Sequence, residues 1–169
     1  GDWSSDVCLP IFENNNYKHI GNSFDEKYIH QNNIQVKCIE EDIFYITENI
    51  MIFSNFNRSN DIKHINKKFQ IKQDEDYVVD DFSDEIVLVV KHEKGLIVIV
   101  GCSHVGIVNI LETIIDRTGM TIYGIVGGTH LVEADEQTLK DAINYFKEKD
   151  IHILAMSHCT GKGAIEKIK

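Results

Sequence analysis

Leu96-Ile97-Val98-Ile99-Val100-Gly101-Cys102-Ser103-His104 is the stretch on which the fold turns. An apolar run passes through small residues and ends on a histidine. The pattern returns in Ile122-Tyr123-Gly124-Ile125-Val126-Gly127-Gly128-Thr129-His130 and in Ile151-His152-Ile153-Leu154-Ala155-Met156-Ser157-His158. Each apolar run has the length and content of a buried strand. Helical periodicity separates the runs. Strand–helix–strand crossovers return successive strands parallel. Parallel strands end at one edge of the sheet, where open α/β sheets place their ligands. The predicted fold class is therefore α/β, with three histidines delivered to one edge.

The segments between the runs support this. Ile107, Val108, Leu111, Ile114 and Ile115 fall on one helical face, and Gly119 stands where a C-terminal cap belongs. Leu139, Ala142, Ile143 and Phe146 mark a second helix, with Asp135 as N-cap and Lys147 and Lys149 near its C-terminal dipole end. Gly161 to Lys169 begins a third. Upstream, Ile86–Lys91 and Gly95–Val100 read as a hairpin, and residues 43–46 and 50–53 as further strands. The alternation of Ile34-Gln-Val-Lys-Cys-Ile39 predicts one more. Residues 57–76 are highly charged and read as an exposed loop or flap. Residues 1–40 read as irregular, with short strands.

The 169 residues suit one domain, with residues 1–75 as variable strands and flap and residues 76–169 as its core. No apolar run approaches a membrane helix and no signal peptide opens the chain, so no membrane partner is expected. Cys8, Cys38, Cys102 and Cys159 stand far apart without C-x-x-C spacing, which favours a reducing, cytoplasmic setting over a disulfide framework. The net charge of −10 argues against duplex nucleic acid as a partner. Residues 1–94 carry 18 acidic and 10 basic residues, net −8; residues 95–169 carry 9 and 7, net −2. The histidine-bearing half is nearly neutral and admits a small anionic substrate. An exposed sheet edge would invite a homo-oligomer.

Neutral imidazole is the usual nitrogen ligand of zinc. His104, His130 and His158 are therefore metal-ligand candidates, against the plainer reading of polar residues exposed at tight turns. Small Ser103, Thr129 and Ser157 leave room there, and their hydroxyls can orient ligands. Cys102 is a candidate thiolate at the same turn. Cys159, next to His158, fits either a thiolate or an inert buried thiol, and the inert role is expected. Thr160-Gly161-Lys162 follows a strand and opens a helix, which suits a phosphate or carboxylate. The acidic group Asp80, Asp81, Asp84 and Glu85 suits a capped loop, a metal, or the orienting of a histidine. His19, His30, His64 and His92 read as solvated, and His152 as a strand residue. Neither G-x-S-x-G nor G-x-G-x-x-G occurs, which removes the usual serine-hydrolase and dinucleotide signatures.

Gly95-Leu96, Gly101 to Leu111, Gly127-Gly128-Thr129-His130-Leu131 and His158-Cys159-Thr160-Gly161, in that order, resemble one branch of the metallo-β-lactamase-fold hydrolases. That branch is related to the methanogen dihydropterin ribofuranosylaminobenzene phosphate synthase, and Asp84-Glu85 fits it too. The resemblance covers about residues 76–169. It implies an αββα sandwich with one or two metal ions at the sheet edge, usually zinc and sometimes manganese or iron. It implies a metal-activated hydroxide attacking an ester or phosphoester of a small anionic substrate. His104 and His158 take the later ligand places, with Cys102 or His130 as the other contributor; in the first turn Cys102 and His104 remain alternatives. The family's His-x-His-x-Asp-His motif does not occur in these residues. The chain thus reads as the C-terminal portion of a metallo-hydrolase, an αββα sandwich incomplete at both ends. An inactive α/β binding module of the same fold, or a pterin-phosphate synthase-like transferase, are the alternative readings.

Overall fold

The computed structural model describes residues 10–13, 16–19, 24, 26–58, 67–73 and 76–169. The chain forms two compact units, residues 1–39 with 65–81 and residues 40–64 with 82–169. In the first unit, β1 (Pro10–Glu13) and β2 (Asn16–His19) pair antiparallel, and α1 (Glu26–Gln31) follows. The second unit opens with β3 (Ile43–Thr47) and β4 (Ile50–Phe53). The chain then returns to the first unit for a hairpin of β5 (Gln70–Gln73) and β6 (Asp76–Val79). The rest belongs to the second unit: β7 (Val87–His92), β8 (Gly95–Val100), α2 (Ile107–Thr118), β9 (Ile122–Gly127), α3 (Glu136–Glu148), β10 (Ile153–Met156) and α4 (Lys162–Ile168).

One six-stranded mixed sheet, ordered β10-β9-β8-β7-β4-β3, forms the second unit. β8 pairs parallel with β9, and β9 parallel with β10, as the repeated strand-then-histidine pattern predicts. β7 joins β8 antiparallel through a tight turn at Glu93-Lys94. Met51, Val89, Val98 and Ile125 stand in register across four strands and are all but sealed from solvent. Each fully buried aliphatic side chain of this kind contributes roughly 1.5–3 kcal/mol. Ile107, Ile110, Leu111 and Ile114 of α2 and Leu139, Ala142 and Phe146 of α3 add the helical half of the core. Both crossovers advance in the same direction across the sheet, and α2 and α3 touch.

The opposite sheet face is also apolar but less covered. Ile52, Leu88 and Ile99 lie in register there, and Ile99 is 37% exposed. The second unit thus supplies one sheet and one helical layer of the expected αββα arrangement.

Helix ends follow the capping expectations. The Asp135 carboxylate accepts the Thr138 N–H at 2.7 Å, and Gly119 closes α2 in the left-handed region with its N–H on the Ile115 carbonyl.

Two expectations fail. Residues 34–39 form no strand. The Ile34 N–H bonds back to the Ile29 carbonyl at the end of α1, and Ile34 and Val36 are half exposed. Alternation without a ladder partner does not make a strand. The charged segment 57–76 contains β5 and the start of β6 rather than only a loop, and its residues 59–66 and 74–75 lie outside the described ones. The helix α1 was not anticipated, because only Ile29 marks its apolar face.

Gly127 and Gly163 test the packing of the strand ends. Gly127 has φ +124°, and a Cβ there would run into the Val100 carbonyl oxygen. Gly163 lies within α4, and a Cβ there meets nothing within 4 Å. Gly127→Ala is expected to destabilise by roughly 2 kcal/mol or more. Gly163→Ala is expected to stabilise by about 0.5–1 kcal/mol. Urea unfolding of both variants checks this; equal effects would contradict the packing described.

Candidate metal centre

β8, β9 and β10 end side by side, and the turns that follow them are bonded to one another. The Gly128 N–H reaches the Gly101 carbonyl at 3.1 Å, and Ser103 Oγ donates to the Gly128 carbonyl at 2.8 Å. The Ser157 N–H reaches the Gly127 carbonyl at 2.9 Å. Thr160 Oγ1 accepts from the Thr129 N–H and lies 3.1 Å from Thr129 Oγ1. The small hydroxyl residues before the histidines are therefore ties between turns. Ser103, Thr129 and Thr160 are sealed from solvent, and the Thr160 side chain is engaged in this lattice.

The turns hold unusual backbone. Ser103, His130 and His158 have φ of 62°, 50° and 49°, the left-handed region that L side chains rarely occupy. Such residues cost of order 1–3 kcal/mol each and persist where the surroundings over-determine them. Here the cross-turn hydrogen bonds do so. All three bends lie at the edge where the donor side chains gather.

Three donors converge. Cys102 Sγ, a ring nitrogen of His158 and Cys159 Sγ all lie within 4.8 Å of one another. Cys159 Sγ accepts the His130 N–H at 3.3 Å and donates its S–H to the Cys102 carbonyl at 3.4 Å. A Cβ on Gly128 would come within 2.6 Å of both Cys159 Sγ and the Gly101 carbonyl oxygen, so only glycine fits between them. His158 is exposed, while both cysteines are half-buried. Burial, and then the hydrogen bond and charge of Cys159, push the Cys102 thiol up to about 12. Without a metal this thiol is protonated at neutral pH, so ligation there would release its proton.

His104 and His130 lie outside that trio. Their rings contact each other at 4.3 Å between centroids. The His104 ring stacks flat on Phe82, 4.2 Å between centroids and 6° between planes. The His130 ring nitrogens are shut from solvent, and Nε2 lies 3.7 Å from Glu133 Oε2. Glu85 holds the first turn from below. One carboxylate oxygen accepts the His104 N–H at 3.1 Å and the other the Val105 N–H at 2.9 Å. Burial raises the Glu85 pKa, opposed by the N–H groups of Val105, His104 and Ser103 that favour its charged form.

The structure thus brings Cys102 and His158 together, sets His104 and His130 as a second pair, and adds Cys159. Gly161, with φ +79°, turns the chain into α4, where Lys162 is exposed. Adjacency to His158 was the signal for Cys159. Glu85 stood among the orienting candidates, whereas nothing local marked Phe82. His92 and His152 flank Tyr123 at 5.1 and 5.3 Å, at the opposite edge of the sheet.

No family model matches the chain. A 7,8-dihydropterin-6-methyl-4-(beta-D-ribofuranosyl)-aminobenzene-5'-phosphate synthase of Methanocaldococcus jannaschii is 39% identical over 85 residues, 50% of this chain and 29% of its own. An uncharacterised protein of the same organism is 31% identical over 163 residues, 96% of this chain and 59% of its own. A crystal structure of a metal-dependent hydrolase of the β-lactamase superfamily matches with TM-score 0.72 and 32% identity, over 77% of this chain and 50% of that one. The chain therefore spans between 29% and 59% of the length of these relatives. Parallel strands ending in bonded, donor-bearing turns, together with this likeness in sequence and structure, give the chain the fold of the β-lactamase-superfamily metal-dependent hydrolases, and the pterin synthase match fits the branch that the sequence resembles.

Proposed function

We propose that the protein is a metal-dependent hydrolase that cleaves an ester or phosphoester of a small anionic substrate. The observation that carries this reading is the convergence of Cys102, His158 and Cys159 within 4.8 Å at the sheet edge. Thiolate and imidazole are the donors that zinc favours, so the residues present fit the group that the family implies. His104 and His130, bound into the same turns, are the further ligands proposed; manganese or iron are the other ions considered. A divalent ion there supplies Lewis-acid polarisation of the scissile group and lowers the pKa of a water nucleophile.

The chain's own residues supply position. Glu85 grips the main chain at His104 and Val105, and Phe82 covers one face of the His104 ring, so that imidazole has little freedom to turn. The buried hydroxyls of Ser103, Thr129 and Thr160 keep the three turns in mutual register. Exposed His158 marks the side from which a substrate approaches. Lys162 is an exposed cation four residues beyond it, suited to an anionic group. Free thiols at Cys38, Cys102 and Cys159 fit the proposed cytoplasmic setting. Among the described residues no helix is long and apolar enough to cross a membrane.

The likeness to the pterin synthase favours a second reading, a transferase acting on a phosphorylated pterin-like substrate. Assay of phosphodiesters and esters beside phosphorylated pterins, each with and without chelator, separates the two. Hydrolysis of simple esters that is lost on chelation and restored by zinc is expected. Hydrolysis that survives complete metal removal would contradict the proposal.

Two substitutions follow. His158→Ala is expected to abolish metal-dependent turnover and lower the metal content measured by elemental analysis. Glu85→Ala frees the His104 turn and is expected to weaken metal binding by roughly 10–100-fold. An unchanged metal affinity in Glu85→Ala would show that the carboxylate serves stability alone.

A further inference from the structure

We infer that Cys159 is itself a metal ligand, and that Cys102, His158 and Cys159 form a two-sulfur, one-imidazole face selective for a thiophilic divalent cation. The inference rests on the metal-dependent reading above and deepens it by committing both sulfurs as ligands and by excluding hard, oxygen-preferring ions.

Four observations carry it. The donor atoms already lie within 4.8 Å of one another. Tetrahedral zinc, with Zn–S of about 2.3 Å and Zn–N of about 2.0–2.1 Å, sets its ligand atoms roughly 3.5–3.8 Å apart. Small side-chain rotations cover that difference. Second, the surroundings of Cys159 Sγ are polar. It accepts a backbone N–H from His130 and donates its S–H to the Cys102 carbonyl, a proton that ligation would displace. A cysteine acting only as a small hydrophobe sits among apolar atoms.

Third, the neighbouring turn packs closely on this sulfur: a Cβ on Gly128 would fall 2.6 Å from Cys159 Sγ, and as near to the Gly101 carbonyl oxygen. Fourth, His158 is exposed while the two cysteines are half-buried. An ion can therefore enter from solvent over the imidazole and settle on the sulfurs. No carboxylate joins the trio among the described residues. Hard ions such as magnesium and manganese prefer oxygen, so this donor set favours zinc, cobalt or cadmium.

The test uses the metal-free protein kept reduced with a phosphine and titrated with cobalt(II). Binding should bring a sulfur-to-cobalt charge-transfer band in the near ultraviolet. Cys159→Ser should cut that band by about half and weaken cobalt binding at least 10-fold, in line with the loss of one of two thiolate donors. Cys38→Ser should change neither, and excess magnesium or manganese should not displace the cobalt. X-ray absorption of the zinc-loaded wild type needs no variant, and should show two sulfurs at about 2.3 Å. Cobalt binding without a sulfur band, or a zinc shell of nitrogen and oxygen alone, would overturn the inference while leaving the metal-dependent hydrolase reading intact. Failure to bind cobalt or zinc at all would overturn both.

Discussion

The parallel pairing of β8, β9 and β10 is the constraint on which the rest depends. Parallel neighbours share a direction, so the turns after them share an edge. A sheet built instead from hairpins would send alternate strand ends to opposite edges and scatter Cys102, His130 and His158. The crossovers make the pairing possible. α2 and α3 bury their apolar faces and return the chain to the edge from which the next strand starts. The core and the candidate site are therefore two consequences of one topology.

At the edge itself, hydrogen bonding replaces apolar packing as the organising force. Ser103, Thr129 and Thr160 are buried hydroxyls whose partners lie on neighbouring turns. A buried polar group left unpaired costs more than a paired one gains, so such a lattice tolerates few alternatives. It also holds Ser103, His130 and His158 in left-handed backbone. The strain is local and falls among the donors. That pattern fits a site whose geometry is held ready before an ion arrives, at some cost to the stability of the isolated turns.

Much of this arrangement was legible in the chain. Residues 95–100 and the face of α2 have unambiguous periods, and Gly119 and Asp135 mark helix ends by local chemistry. The shared edge followed from strand order alone. What was not legible depended on contacts distant in sequence. Residues 34–39 alternate like a strand, but only a partner strand would have made them one. Glu85 grips a turn 19 residues away, a contact that no window of sequence displays. Cys159 looks inert until Gly128 and the His130 N–H are seen around its sulfur. His104 and His130 carry the same strand-end signature as His158, yet their rings pack against each other and are not part of the trio.

The central claim is that this edge holds a metal ion. Anomalous diffraction at the zinc edge, from crystals grown with stoichiometric zinc, tests it most directly. The account predicts an anomalous peak at the ends of β8, β9 and β10, within bonding distance of the His158 ring. A peak at the opposite edge beside His92 and His152, or none at all, would contradict it.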